Sequence, residues 1–369
     1  MKKAVAFCLA LTMAAGLLTG CGSGKEATGA AETGSKTTTA VTTEATTTAA
    51  ETTTAAATEA TTAAETTAAA IAPEDAVVRI GSLKGPTSMG LVSMMQNNPD
   101  MYFQMETAAD ALTAAIVKGD LDIALVPANI AAILYNKNTN ISVIDINTLS
   151  VLYVVAKDNS IQSIQDLKGK TIYLTGKGTT PDYVFQYLLK ANGLSVEDVK
   201  MEYKSEATEV VSMLAQDDSA IGLLPQPFVT VACSQTEGLN VVLDLGKEWE
   251  TAQKESEMPS SLVTGVTIVR NAFLEEHPDV VIRFMEEHEK SAAYTNENPA
   301  EAAEMIAALG IVAKAPVAEK AIPKCGITYL DGMDMIQALA GYLQALYEEN
   351  PAAVGGEAPS TEMYASGLR

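Results

Sequence analysis

Between Val77 and Val269, short apolar runs alternate with stretches of helical periodicity. Val77-Val78-Arg79-Ile80-Gly81 reads as a strand, and Thr87 to Asn97, after a Gly-Pro turn, as a helix. Thr107 to Val117 reads as a helix ended at Lys118-Gly119, and Asp122 to Val126 as a short apolar strand stopped by Pro127. Ile141 to Ile146, Leu149 to Ala156 and Thr171 to Leu174 follow as strands. Helices are predicted from about Pro181 to Asn192 and from Glu206 to Gln216. Strands are predicted at Ile221 to Leu224, stopped by Pro225, then at Leu239 to Leu243 and Val263 to Val269. From Asn271 onward the pattern is mostly helical. This rhythm predicts an α/β fold with parallel or mixed sheets flanked by helices.

One unit, strand–loop–helix–helix–strand, occurs twice, from Ile80 through Pro127 and from Ile172 through Pro225. Each copy opens with a glycine turn, Gly85-Pro86-Thr87-Ser88 or Gly176-Lys177-Gly178-Thr179-Thr180-Pro181. Each closes on an apolar strand and a proline, Ile123-Ala124-Leu125-Val126-Pro127 or Ile221-Gly222-Leu223-Leu224-Pro225. Two similar units in one chain predict two lobes with a cleft between them.

The ends of the chain add a compartment. Lys2 and Lys3 precede an apolar run, Ala4 to Leu18, that is short for a membrane span of roughly 20 residues. Together they have the layout of a secretory signal peptide over residues 1–20. Leu18-Thr19-Gly20-Cys21 resembles the bacterial lipobox, which implies a lipid on the Cys21 thiol and a membrane anchor. Residues 21–72 hold the lipidated cysteine and then almost nothing but Thr, Ala, Glu, Gly and Ser, so a disordered stalk is expected. A flexible chain of about fifty residues would hold the body on the order of 40 Å from the bilayer, a reach that suits a Gram-positive envelope. Among 369 residues the net charge is −22, and loss of Lys2 and Lys3 would make the exported chain more acidic still. That disfavours nucleic acid and anionic lipid headgroups as partners, while leaving a local site free to oppose the global sign. Beyond Cys8 and Cys21, only Cys233 and Cys325 remain, and an oxidising compartment leaves a disulfide between them open.

Several stretches, in order, resemble one family. Ile161-Gln162-Ser163-Ile164-Gln165-Asp166-Leu167-Lys168-Gly169-Lys170-Thr171-Ile172 resembles the entry to the second lobe of type II periplasmic binding proteins. The 176–183 and 188–194 segments, and the run Lys118-Gly119-Asp120-Leu121-Asp122-Ile123-Ala124-Leu125-Val126-Pro127, are similar to those of nitrate/taurine-type substrate-binding proteins, whose solutes include sulfonates and thiamine precursors. The resemblance spans roughly 77 to 345. It implies a two-lobe fold with hinge crossovers near Val154–Lys157 and Val263–Val266. Lobe one would then be 77–155 plus 265–369, and lobe two 157–262. It also implies a monomer that captures a small-molecule solute and delivers it to an ABC permease and its ATPase, outside the cytoplasm.

In open α/β sheets ligands sit beyond the carboxyl ends of the strands, which makes the two glycine loops the candidate site. Thr87 or Ser88, beside Pro86, could N-cap the first helix, and Thr180 the second, with Pro181 at its first position. Two helix N-termini facing one cleft would suit a carboxylate, a sulfonate or another acceptor-rich group. The same residue types also serve ordinary βα turns. Lys84 and Lys177 flank the turns, and Gly178 and Thr179 lie within the second. Asn129 after Pro127, and Gln226 between Pro225 and Pro227, offer polar groups at strand ends. Tyr153 and Phe228 could stack on a ligand or pack in the core, and Gly265 sits in the second crossover.

Enzyme signatures fail. Gly169-Lys170-Thr171 has Ile164 where a phosphate-binding loop needs glycine, and Ser88 has Pro86 where a nucleophile elbow needs glycine. The two histidines, His277 and His288, lie among glutamates and read as a solvated face, and nothing has metal-ligand spacing. No catalytic residue, cofactor or metal is expected. A ligand-sensing or adhesive surface lipoprotein without a permease stays open, and so does a cell-surface enzyme on the same lobes.

Overall fold

The computed structural model describes residues 72–369; the signal peptide expected over residues 1–20, Cys21 and the Thr/Ala/Glu-rich segment up to residue 71 lie outside the described residues. The strands are β1 (Val78–Leu83), β2 (Met101–Glu106), β3 (Ile123–Pro127), β4 (Ile141–Leu149), β5 (Leu152–Ala156), β6 (Thr171–Leu174), β7 (Lys200–Tyr203), β8 (Ile221–Pro225), β9 (Asn240–Asp244), β10 (Val263–Arg270) and β11 (Ile327–Leu330). Between the strands of the first half lie α1 (Pro86–Met89), α2 (Val92–Asn97), α3 (Ala109–Lys118) and α4 (Ala128–Asn136). Next come α5 (Thr180–Ala191), α6 (Ala207–Gln216), α7 (Phe228–Gln235) and α8 (Leu245–Ala252). The C-terminal third carries α9 (Asn271–Glu276), α10 (Pro278–Glu297), α11 (Pro299–Ala308), α12 (Ala315–Ala321) and α13 (Gly332–Glu349).

The strands form two mixed sheets, in the orders β11-β4-β10-β3-β1-β2 and β7-β6-β8-β5-β9. Each contains the same core. β1 pairs parallel with β2 and β3, and β6 pairs parallel with β7 and β8. An antiparallel strand then closes each core, β10 against β3 and β5 against β8. The repeated unit is therefore βαβαβ, and the two-helix reading of the interior missed β2 and β7. Both are edge strands with mainly half-buried or exposed side chains, so neither carries the apolar signature of a core strand. The helix expected over Thr87–Asn97 is also broken, at Gly90-Leu91, into α1 and α2.

Glycine lets the helices approach the sheets. A Cβ on Gly81 of β1 would stand 2.7 Å from Leu112 of α3, and one on Gly222 of β8 would stand 2.9 Å from Leu214 of α6. The two lobes thus use equivalent close contacts on different strands.

The chain passes from the first sheet to the second at Ser150-Val151, ahead of the 154–157 expected, because β5 already pairs with β8. Both residues take left-handed backbone, φ +56° at Ser150 and +77° at Val151. That conformation is costly for a β-branched side chain and is held here by surrounding packing. The return is at Leu262-Val263, and the Ser150 N–H donates to the Leu262 carbonyl at 2.7 Å, tying the crossovers together. The C-terminal segment is not purely a lobe-one element. Leu339, Tyr342 and Leu346 of α13 share a core with Leu188 and Trp249 of the second lobe and with Ile146 and Val266 of the first. The Tyr342 ring lies 5.2 Å from that of Trp249.

Candidate functional site

A cleft of about 470 Å³ opens between the lobes at the carboxyl ends of β1, β3, β6 and β8. Its walls come from corresponding loops. After β1 stand Lys84, Gly85, Pro86 and Thr87, and after β6 stand Gly176, Lys177, Thr179 and Thr180. Pro127 and Pro225 end the central strands at its edge, Gly265 and Thr148 form part of lobe one's contribution, and Phe228 adds an aromatic ring from α7.

Segments outside the expected site also line it, among them Thr107–Asp110, Lys204–Thr208, Thr148 and Val151-Leu152. The first two follow the overlooked strands β2 and β7. The helix starts read at Thr107 and Glu206 were the available signal, since a helix that begins after a parallel strand begins at the ligand end of the sheet.

The helix termini differ from expectation. Gly85, at φ +153°, precedes α1, and no side chain caps that helix. Thr87 and Ser88 instead donate back to the Leu83 carbonyl at 2.7 and 2.6 Å, and Ser88 pairs with Ser82 at 2.6 Å. Ser88 is fully buried and lies behind the cleft wall. Thr179, not Thr180, precedes α5, and its hydroxyl donates to the Gly176 carbonyl at 2.7 Å. Gly178 does not face the cleft, because its N–H donates to Asp182 Oδ2 at 2.8 Å. The other oxygen of this buried carboxylate accepts from Tyr203 Oη and Gln186 Nε2, both at 2.6 Å. An internal carboxylate already complements the start of α5, so the anion site expected there is partly filled.

Asn129 and Gln226 also serve the protein. Asn129 is buried and crosses between the lobes: its amide donates to the Gly178 carbonyl at 3.3 Å and to Ala353 at 3.1 Å, and its oxygen accepts from Thr180 at 3.2 Å. Gln226 Oε1 accepts from the Thr230 N–H and hydroxyl at 3.1 and 2.8 Å, holding the first turn of α7. Tyr153 is half-buried and donates to the Lys324 carbonyl at 3.3 Å across the lobes. Burial, with Asp244 nearby, pushes its hydroxyl up to about 12.

Charge at the cleft runs against the charge of the chain. Lys84, Lys177 and Lys204 line it against Asp110 and Glu206. Lys177 Nζ lies 5.4 Å above the Tyr203 ring and Lys204 Nζ 5.1 Å above that of Tyr173. Both ammonium groups are thereby held near the pocket. Lys204 also lies 3.6 Å from Glu202, which takes part of its charge.

The histidines divide. His277 is exposed as expected, but His288 is buried, with Nδ1 3.2 Å from Asp145 Oδ2 and the Phe284 and Tyr329 rings each 5.5 Å away. It shares a buried face of α10 with Val281, Phe284, Ser291 and Thr295, a helical spacing hidden by the glutamates between them. Cys233 and Cys325 are both free, and Cys325 packs 3.8 Å from Met89 Sδ with burial pushing its thiol up. Among the described residues no group of three His, Cys, Asp or Glu is placed to hold a metal, and no helix is long and apolar enough to cross a membrane.

Comparison with known proteins places this geometry. A structure described as an ABC transporter from Parabacteroides distasonis aligns with a TM-score of 0.66 at 24% identity, over 79% of this chain and 99% of that one. The periplasmic aliphatic sulphonate binding protein SsuA from Escherichia coli aligns at 0.60 and 16%, over 75% and 93%. The periplasmic nitrate-binding protein NrtA from Synechocystis aligns at 0.56 and 12%, over 78% and 83%. At these identities the likeness is one of fold, a two-lobe periplasmic-binding-protein architecture. No curated protein matches in sequence. The model of the NMT1/THI5-like family matches residues 100–302, more than half of the sequence. The chain belongs to the NMT1/THI5-like family.

Proposed function

We propose that this protein is the solute-binding lipoprotein of an ABC importer. It captures a small organic or anionic solute between its lobes and presents the closed form to a permease. The observation that carries this reading is the cleft itself, about 470 Å³, walled by matching strand-end loops from two lobes that two short crossovers connect. A volume of that size suits a small solute, and two lobes on short crossovers can close on it, with the solute favouring the closed state. The excess of lysine over carboxylate in the lining supports an anionic group on the solute. Binding, not catalysis, is the reading, since the buried His288–Asp145 pair is absent from the residues that line the cleft.

A thermal-shift screen of the mature chain against sulfonates, carboxylates, nitrate and pyrimidines tests the reading. A specific solute raises the melting temperature by mass action. A flat response across the panel, with or without turnover of a member, would overturn it. The lipid is a separate part of the proposal and rests on Leu18-Thr19-Gly20-Cys21. Cys21→Ser should release the protein from the membrane fraction into the medium; retention would remove the anchor.

A further inference from the structure

Behind the cleft floor a line of buried polar side chains runs into lobe one, and its hydrogen bonds all point one way. At its inner end Asp145, fully buried, holds His288 Nδ1 at 3.2 Å and accepts the Thr267 hydroxyl at 2.6 Å. Thr267 has then spent its only proton, so toward Asn147 it offers lone pairs, and Asn147 Nδ2 donates to it at 3.1 Å. That fixes the rotation of the Asn147 amide, with Oδ1 turned to Thr148, whose hydroxyl donates to it at 2.9 Å. Thr148 lines the cleft. Its proton is committed inward, so its oxygen has only lone pairs left to offer.

Gly265 keeps the Thr148 oxygen reachable. It lines the cleft and lies opposite Thr148 in the β10–β4 pairing. A Cβ there would stand 2.5 Å from Asn147 Oδ1 and 3.2 Å from Thr148 Oγ1, so any other residue would displace the Asn147 amide and cover the Thr148 oxygen. Gly265 is absent from the glycines with positive φ, so space and not backbone conformation is what calls for glycine.

We propose that Thr148 is a specificity-determining residue, held as an obligate acceptor by Asn147, Thr267, Asp145 and His288, and that the solute carries an N–H or O–H to meet it. Combined with the lysines of the lining, this makes the solute a donor-bearing anion, a class that excludes nitrate and simple alkanesulfonates. The inference rests on the solute-binding reading above. An acceptor that is built in and cannot reverse penalises a ligand without a donor, because the buried oxygen is then left unpaired.

The test is calorimetry on the mature chain with matched pairs: 2-aminoethanesulfonate and 2-hydroxyethanesulfonate against ethanesulfonate, and 4-aminobutanoate against butanoate. The donor-bearing member should bind at least about tenfold more tightly. Thr148→Val should erase that ratio, and Thr148→Ser, which keeps the hydroxyl, should preserve it. The ratio is read within each variant, so a general loss of stability in the valine form does not mimic the result. Equal affinities within the pairs, or a preference that survives in Thr148→Val, would overturn the acceptor role alone. Binding by no member, while the wider panel also stays flat, would overturn the solute-binding reading and this inference with it.

Discussion

After β1 the chain makes a four-residue helix whose hydroxyls fold back onto the strand, whereas after β6 it makes a twelve-residue helix whose first turn is built around a buried carboxylate. The two loops occupy equivalent places in the two sheets, and in sequence both are glycine, proline and hydroxyl residues. The difference lies in what consumes their hydrogen-bonding capacity. In lobe one, Thr87 and Ser88 satisfy the Leu83 carbonyl; in lobe two, Asp182 gathers Gly178, Gln186 and Tyr203. A shared motif thus sets where the chain turns without setting what faces the ligand. The positive character of the cleft comes from lysine side chains more than from helix termini.

The largest effect should separate the two loops. Asp182→Ala removes an acceptor of three hydrogen bonds and strands the Gly178 N–H and the Tyr203 hydroxyl, a loss of about 3 kcal/mol. Ser88→Ala, in the equivalent loop, removes one neutral hydroxyl and should cost about 1 kcal/mol. Urea denaturation of both variants measures the gap, and equal costs would mean that the loops are built alike after all.

A smaller effect concerns closure. Asn129→Ala deletes the bonds that join α4 to the start of α5 across the lobes. It should weaken solute binding by about tenfold, through a less populated closed state. Thr180→Ala deletes the 3.2 Å bond to Asn129 and should weaken binding by roughly threefold while leaving the fold intact. Thr87→Ala removes no cross-lobe bond, only the 2.7 Å bond to the Leu83 carbonyl within lobe one, so it reports the loop without the closure contact. Calorimetry on the three variants ranks them, and unchanged affinity in Thr180→Ala would take that helix start out of the site.

How much of this was readable in sequence follows from the same asymmetry. Ile123–Pro127 and Ile221–Pro225 are central strands covered on both faces, so their apolar runs ending in proline announced themselves. Met101–Glu106 and Lys200–Tyr203 lie at sheet edges, where half-exposed side chains erase the pattern, and the cleft loops that follow them were lost with them. The roles of Asn129 and His288 were hidden for another reason. Each depends on a residue far away in the chain, Thr180 for one and Asp145 for the other, and no local spacing carries that information.

The far ends of the central strands differ between the lobes too, and this gives the smallest effect at neutral pH. Pairing Ile80 with Ile123 and Ile172 with Ile221 makes Asp122 and Ala220 equivalent positions. Asp122 is nearly buried and accepts from Arg79 at 2.6 and 2.9 Å and from Arg270 at 2.8 Å; alanine can do none of this. Burial pushes the Asp122 carboxyl up, but the hydrogen bonds from Arg79 and Arg270 outweigh it and hold the group below the usual carboxylate range. A folded-state value below the unfolded one means stability that is fully present above about pH 4 and is lost as pH falls through the folded value. The strand end at Asp122 should therefore loosen in acid before the equivalent end at Ala220, which has no carboxylate to titrate. Hydrogen exchange on the described strands, followed from pH 6 to pH 3, should show protection falling first in β1 and β3, with β6 and β8 holding longer. Asp122→Asn should flatten that acid dependence in lobe one, because the group that titrates is gone. If β6 and β8 lose protection together with β1 and β3, the two lobes unfold as one unit, and the core that α13 shares with both is what joins them.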